Sequence, residues 1–405
     1  MAEQPGSRYY RKTWVALFLV AVTVLSAALI LSRDGRIPAH PQDQSFVSTA
    51  DLRIGQENGV WFFHYPRLQW AGGITGTLTA GLYKLVLPTS PDSLNHHFKI
   101  FSMLLFFLAG YLLAGKHLKT RWGLFIFIGL MASSGFQFIE PSTEVLACAY
   151  LALFLYGFSS AWHPAVLSFL LACFGLCKVE FVLPAGAILL YWVLTERSKK
   201  GKMLILGSFT LWIALFISPV IYLYGKEAVF GNRDIVVFSG YYASLRGYGT
   251  LDGKMAWSSE FPKAKSFLDV IILYPQVYLT FVKLAMIKSL KVFLCALSGI
   301  TPILIARWAH YKKEVFSNRF ESAVLVGFIS AMLPATLIAY LHFRYMGKFF
   351  IPFFILSVSF WEYCRTKRDS LYEIWRGRII LALLIGTIVW QAFGAKAIAD
   401  YPHSF

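Results

Sequence analysis

Apolar runs close to bilayer length follow one another along most of this chain, and that pattern restricts the fold more than any other feature. A helix that crosses lipid needs roughly 20 mostly apolar residues. Runs approaching that length occupy 14–32, 98–115, 122–139, 144–160, 163–178, 181–195, 203–223, 290–306, 320–341, 349–364 and 379–395. Composition agrees, because 57% of the residues are hydrophobic and only 15% charged, against about 25% charged in soluble domains. The expected fold is an all-α polytopic membrane protein of about eleven transmembrane helices. An ordinary water-soluble globule and a disordered chain are both excluded.

Lys and Arg outnumber Asp and Glu by 38 to 21, for a formal charge of +17. In a soluble protein that excess would point to nucleic acid. Here it is better read as topology, because cytoplasmic connections collect Lys and Arg. Threading the runs alternately places 116–121, 159–163, 196–202, 307–319 and 365–378 on one side. Four of these five segments are rich in Lys and Arg, and Arg8, Arg11 and Lys12 precede the first run. The expected orientation is N-in and C-out, with the first run an uncleaved anchor. Half of the basic residues are then cytoplasmic, and nucleic acid drops out as a partner.

The cysteines Cys148, Cys173, Cys177, Cys295 and Cys364 lie in or beside apolar runs, where a free thiol packs as a small hydrophobe. Cys173 and Cys177 share an i,i+4 spacing, but no His or second Cys pair completes a zinc set. No metal set or other cofactor is signalled, although a divalent cation is compatible with the residues.

One membrane domain over 1–405 is expected, with two polar segments facing outward, 33–97 and 225–290. The second ends in an apolar stretch broken by Pro275 and carrying Lys283, Lys288 and Lys291, which reads as a helix lying at the interface. The first is long for a connector, and such segments are usually functional. It carries Arg33-Asp34-Gly35-Arg36, His40-Pro41-Gln42-Asp43-Gln44 and Trp61-Phe62-Phe63-His64-Tyr65-Pro66. Phe46, Val47, Ala50 and Ile54 follow helical spacing, so a helix is expected over 45–58 with Asp43 just before it. A carboxylate there suits a general base; it equally suits a helix cap. Asp34 is the second choice, and its bland alternative is pairing with Arg33 or Arg36.

The layout of a first anchor, an outer loop with an acid beside His-Pro, a short helix and an aromatic-Pro stretch resembles the GT-C superfamily of integral membrane glycosyltransferases. Ile139-Glu140-Pro141-Ser142-Thr143-Glu144, Lys178-Val179-Glu180-Phe181 and His342-Phe343-Arg344-Tyr345 fit that layout loosely. The resemblance implies transfer of a sugar from a polyprenyl-phosphate donor to a lipid, glycan or protein acceptor at the outer face of a bacterial inner membrane. It implies Asp43 as the base, and His40, Gln44, His64, Glu140, Glu144, Lys178, Glu180, Arg233, Tyr241, Arg246, Arg344 and Tyr345 as substrate-binding residues. The departure from the family pattern is Gln44, which stands where an Asp-Glu pair would put its second acid. Two other readings are kept: a polymerase or ligase of lipid-linked glycans, and a multi-span transporter or flippase. The ionisable residues gather at outer span ends and the halves show no symmetry, which favours surface chemistry over passage.

Overall fold

The computed structural model of the chain describes residues 53–57, 60–64, 74, 75, 79, 91–135, 142–177, 181–224, 238, 242, 245, 261–264, 266–311, 318–337, 346–366 and 371–393. These residues are helical apart from one short hairpin and the turns between helices. In chain order the helices are α1 (Pro91–His117), α2 (Arg121–Gly135), α3 (Ser142–Ser159), α4 (Pro164–Leu176), α5 (Val182–Thr195) and α6 (Lys199–Tyr224). They continue as α7 (Phe267–Leu273), α8 (Pro275–Leu297), α9 (Ile300–Tyr311), α10 (Arg319–Met332) and the single turn α11 (Pro334–Leu337). A 3₁₀ turn, Gly347–Phe349, leads into α12 (Phe350–Thr366), and α13 (Leu371–Phe393) follows.

The bundle centres on α1 against α3, with α4 packed on α3, α5 and α6. On the other flank α12 packs on α2, α9 and α13. The core between them is apolar and aromatic, including Phe106, Phe127, Phe154, Phe174, Phe181 and Phe349. The outside is apolar too. Leu190, Leu194, Met203, Leu211, Leu215, Ile272, Leu279 and Ile379 are all exposed. Within Lys199–Tyr222 only 17% of the residues are buried although the mean hydropathy is 2.2. A helix that is apolar all round and largely uncovered belongs in lipid. The chain is an integral membrane protein.

Three described helices are long and apolar enough to cross a bilayer alone: Ile100–His117, Lys199–Tyr222 and Leu371–Phe393. The expected eleven spans are therefore matched in part. Several of the remaining runs form helices as anticipated, but short ones: α2, α4 and α5 have 15, 13 and 14 residues. At 1.5 Å per residue these reach roughly 20 Å, less than the hydrocarbon thickness of about 30 Å.

Two expected elements are corrected, and a third breaks where its proline stands. The helix anticipated over 45–58 is replaced at its C-terminal end by a strand, β1 (Arg53–Glu57), paired antiparallel with β2 (Val60–His64). Asn58-Gly59 is the whole connection in sequence, and that dipeptide is the strongest short hairpin signal. Aromatic Trp61, Phe62 and Phe63 also favour the strand. The continuous span expected over 290–306 is broken, because α8 ends at Leu297 and Ser298 takes φ 40°. The stretch 267–290 is broken at Pro275 as expected, into α7 and α8, bent by 113° at the residue before that proline. That bend follows from the missing N–H of proline and its bias on the preceding residue. Likewise α10 stops at Met332, just ahead of Pro334 in sequence.

Gly299 explains how the break at 298 packs. A Cβ there would come within 2.5 Å of the Leu383 carbonyl oxygen and 2.8 Å of Thr387 Oγ1 on α13. By contrast, a Cβ on Gly207 would meet nothing within 4 Å. Replacing Gly299 by Val is expected to lower the thermal unfolding midpoint of the detergent-solubilised protein by several degrees, a loss of about 2 kcal/mol or more. Gly207→Val, on open lipid-facing surface, should melt within a degree or two of the parent.

Candidate functional site

Glu144 anchors the best-defined polar cluster in the bundle. It stands in the first turn of α3, only 1% exposed. A carboxylate at a helix N-terminus faces the positive end of the helix dipole. Cys148, one turn later, donates its thiol to the Glu144 backbone carbonyl at 2.9 Å. The 3₁₀ turn Gly347–Phe349 packs against α3 and brings in Lys348, 4% exposed. Its Nζ lies 4.2 Å from the centre of the Phe181 ring, at the start of α5, and 5.8 Å from that of Phe349. Two opposite charges, Glu144 and Lys348, are thus buried where α3 meets the 3₁₀ turn.

Ile74, Thr75 and Thr79, from within the polar segment 33–97, lie at this same end of the bundle. Thr75 Oγ1 donates to the Cys173 carbonyl at 2.7 Å and lies 3.4 Å from Cys177 Sγ, at the last turn of α4. The hydroxyls of Thr79 and Tyr150, the latter on α3, are 2.8 Å apart. Ile74 packs with Cys173, Phe216 and Val220. Two bonded pairs, Thr75 with Cys177 and Cys148 with the Glu144 carbonyl, and the buried Lys348 therefore lie where α3, α4, α5 and the 3₁₀ turn meet. Phe174 stacked on Phe181, centroids 5.5 Å apart, closes its apolar side. The arrangement can hold opposite charges in a dry site and couple a surface segment to them.

Of the anticipated substrate-binding residues, Glu144 is in this cluster, and His64 ends β2, paired with Arg53. Asp34, His40, Asp43, Gln44, Glu140, Lys178, Glu180, Arg233, Tyr241, Arg246, Arg344 and Tyr345 lie outside the described residues. Sequence reasoning passed over Lys348 and Thr75. A lone Lys within the run Met346–Phe354 was the available signal, since an ionisable residue at membrane depth is a functional pointer by default. Thr75 offered none, because its role depends on a carbonyl far away in sequence. Among the described residues no group of three or more His, Cys, Asp or Glu is arranged to hold a metal ion.

The comparisons with known proteins follow from a fold of this kind. No family model matches the chain. No curated protein matches it either. Among solved structures, the chain is similar to the crystal structure of the Archaeoglobus fulgidus oligosaccharyltransferase, in a complex with Zn and sulfate. The similarity has a TM-score of 0.47 at 13% identity, covering 94% of this chain and 53% of that one. This chain thus spans about half the length of that oligosaccharyltransferase chain. A likeness of that degree transfers no activity, ligand or residue role.

The buried charges give a direct test. Removing one of two buried charges that compensate each other typically costs about 3–5 kcal/mol. Glu144→Gln and Lys348→Met are each expected to melt well below the parent in detergent. The double variant should recover part of the loss, with a coupling energy of about 1–3 kcal/mol by double-mutant cycle. Additive losses would show that the two charges act independently.

Proposed function

We propose that this chain is a membrane glycosyltransferase that moves a sugar from a polyprenyl-phosphate donor to a lipid, glycan or protein acceptor. The site is assigned to the outer face of a bacterial inner membrane, with the N-terminus inside and the C-terminus outside. The observation that supports this reading is that Thr75 and Thr79 hydrogen-bond to α4 and α3 at the end of the bundle that buries Glu144 and Lys348. In sequence, Asp34 and Asp43 precede them in the same polar segment. The GT-C-like layout of motifs supports the same assignment.

In this reaction the acceptor hydroxyl attacks the anomeric carbon as the bond from that carbon to the phosphate oxygen breaks. The phosphate leaves with the electron pair, still attached to its polyprenyl chain. Asp43 takes the hydroxyl proton, and Asp34 is the second choice. Developing charge on the departing phosphate calls for fixed cations or hydrogen-bond donors in a site of low dielectric. Lys178, Arg233, Arg246 and Arg344 are assigned to that role, with His40, Gln44, His64, Glu140, Glu144, Glu180, Tyr241 and Tyr345 binding the sugar or acceptor. No divalent cation is written into the step.

Asp43→Asn is expected to reduce transfer of labelled sugar from a synthetic polyprenyl-phosphate donor at least 100-fold, the usual contribution of a general base. Its melting behaviour should match the parent. Full activity in that variant with Asp34→Asn inactive would move the base to Asp34. Full activity in both would remove the carboxylate mechanism. Movement of lipid or sugar across proteoliposomes without bond cleavage would support a transporter instead.

A further inference from the structure

A second polar site lies at the opposite end of α12, roughly 20 Å from Lys348 along the helix. A cavity of ≈ 390 Å³ opens there between the ends of α1, α9, α10 and α12, with His117, Lys119, Arg307, Asn318, Phe320 and Glu362 in its wall. That is large enough for a small ligand. Its built-in acceptors are already engaged. Glu362 accepts from the Lys119 N–H at 2.9 Å, the Thr120 N–H at 2.8 Å and the Thr120 hydroxyl at 2.6 Å. Asn318 Oδ1 accepts from the Phe320 N–H at 3.1 Å and the Glu321 N–H at 3.5 Å.

Arg307 is engaged as well. Its Nε and Nη2 form a two-pronged bridge to Glu321 at 2.9 and 3.1 Å, and Nη1 donates to Ser359 Oγ at 3.2 Å. Two donors remain. His117 Nε2 is buried with no hydrogen-bond partner among the described residues, although its ring is fixed by stacking on Phe320 at 4.2 Å. The exposed Lys119 has no carboxylate partner among the described residues. Lys116, Arg121, Arg319 and Arg365, all exposed, each adjoin a residue of the cavity wall in sequence.

Unused donors inside a basic rim call for an anion that only accepts hydrogen bonds. We propose that this cavity binds a phosphate-bearing anion, with the His117 Nε2–H and the Lys119 ammonium as its donors. The phosphate comes either from the headgroup of an anionic lipid or from a soluble phosphate, and both sources present the same oxygens. Basic pockets between helix ends are a recurrent setting for anionic headgroups.

The experiment uses the full chain in detergent. Native mass spectrometry counts retained phosphatidylglycerol against phosphatidylcholine, and calorimetric titration reads inorganic phosphate. The parent is expected to prefer phosphatidylglycerol. His117→Phe, which keeps the stack on Phe320, and Lys119→Met should each weaken that binding about tenfold. Lys200→Gln, on an exposed basic residue away from the cavity, should not. Displacement of the lipid by inorganic phosphate, with the same two variants defective, assigns the site to the soluble anion. Equal binding in all the proteins, an equal fall in Lys200→Gln, or no binding of either probe overturns the proposal.

Discussion

Backbone groups at helix ends have no water to turn to inside a bilayer, and this structure is organised around satisfying them. Its helices are short and often broken, so it creates more buried ends than a bundle of straight spans would. Three of these ends are met by a side chain from elsewhere. The turn from α1 to α2 gives two N–H groups to Glu362 on α12. The last turn of α4 receives Thr75 at the Cys173 carbonyl. The end of α8 receives Trp390 Nε1 at the Cys295 carbonyl and Gln391 Nε2 at the Ala296 carbonyl, both at 2.8 Å. Gly123 and Gly299 supply the close approach: a Cβ on Gly123 would overlap the Glu362 carboxylate.

Buried charge in this chain follows the same rule of full engagement. Glu321 is 2% exposed, yet both of its oxygens meet Arg307. Glu362, at 4% exposure, has three donors. An ion left unpaired at such depth would cost several kcal/mol, so partners fix where the helices bearing them must sit. The result is two polar ends joined by α12, one holding Glu144 and Lys348, the other Glu321, Arg307 and Glu362.

The sequence made the membrane class plain, because apolar runs and a low charge fraction both report transfer into lipid. The starts of α3, α5, α6 and α12 were legible to within a few residues for the same reason. The breaks were harder to read. Hydropathy stays high across Leu297, Ser298 and Gly299, so a window average sees one span where the backbone makes two helices. The spacing of Phe46, Val47, Ala50 and Ile54 points to a helix, whereas the strand at Arg53–Glu57 is signalled by Asn58-Gly59, the more specific pattern. Of the candidate site, Glu144 was visible as an acid opening an apolar run. Thr75 was not, since hydrogen bonding to a carbonyl on α4 leaves no local pattern.

Short helices with engaged ends have a consequence for chemistry. A straight span can slide or rotate in lipid with little change in its own hydrogen bonds. A helix whose terminal carbonyl is held by Thr75, or whose first N–H groups are held by Glu362, cannot move without leaving a polar group unsatisfied, at about 1–3 kcal/mol each. Segment 33–97 is tied into that framework at Thr75 and Thr79, while Lys348 and Glu144 are held by burial against Phe181 and the first turn of α3. The same constraint that closes helix ends therefore holds Thr75 and Thr79 at the end of the bundle that buries these charges. Such pre-organisation lets polar groups act on a reacting centre without reorganising during the step.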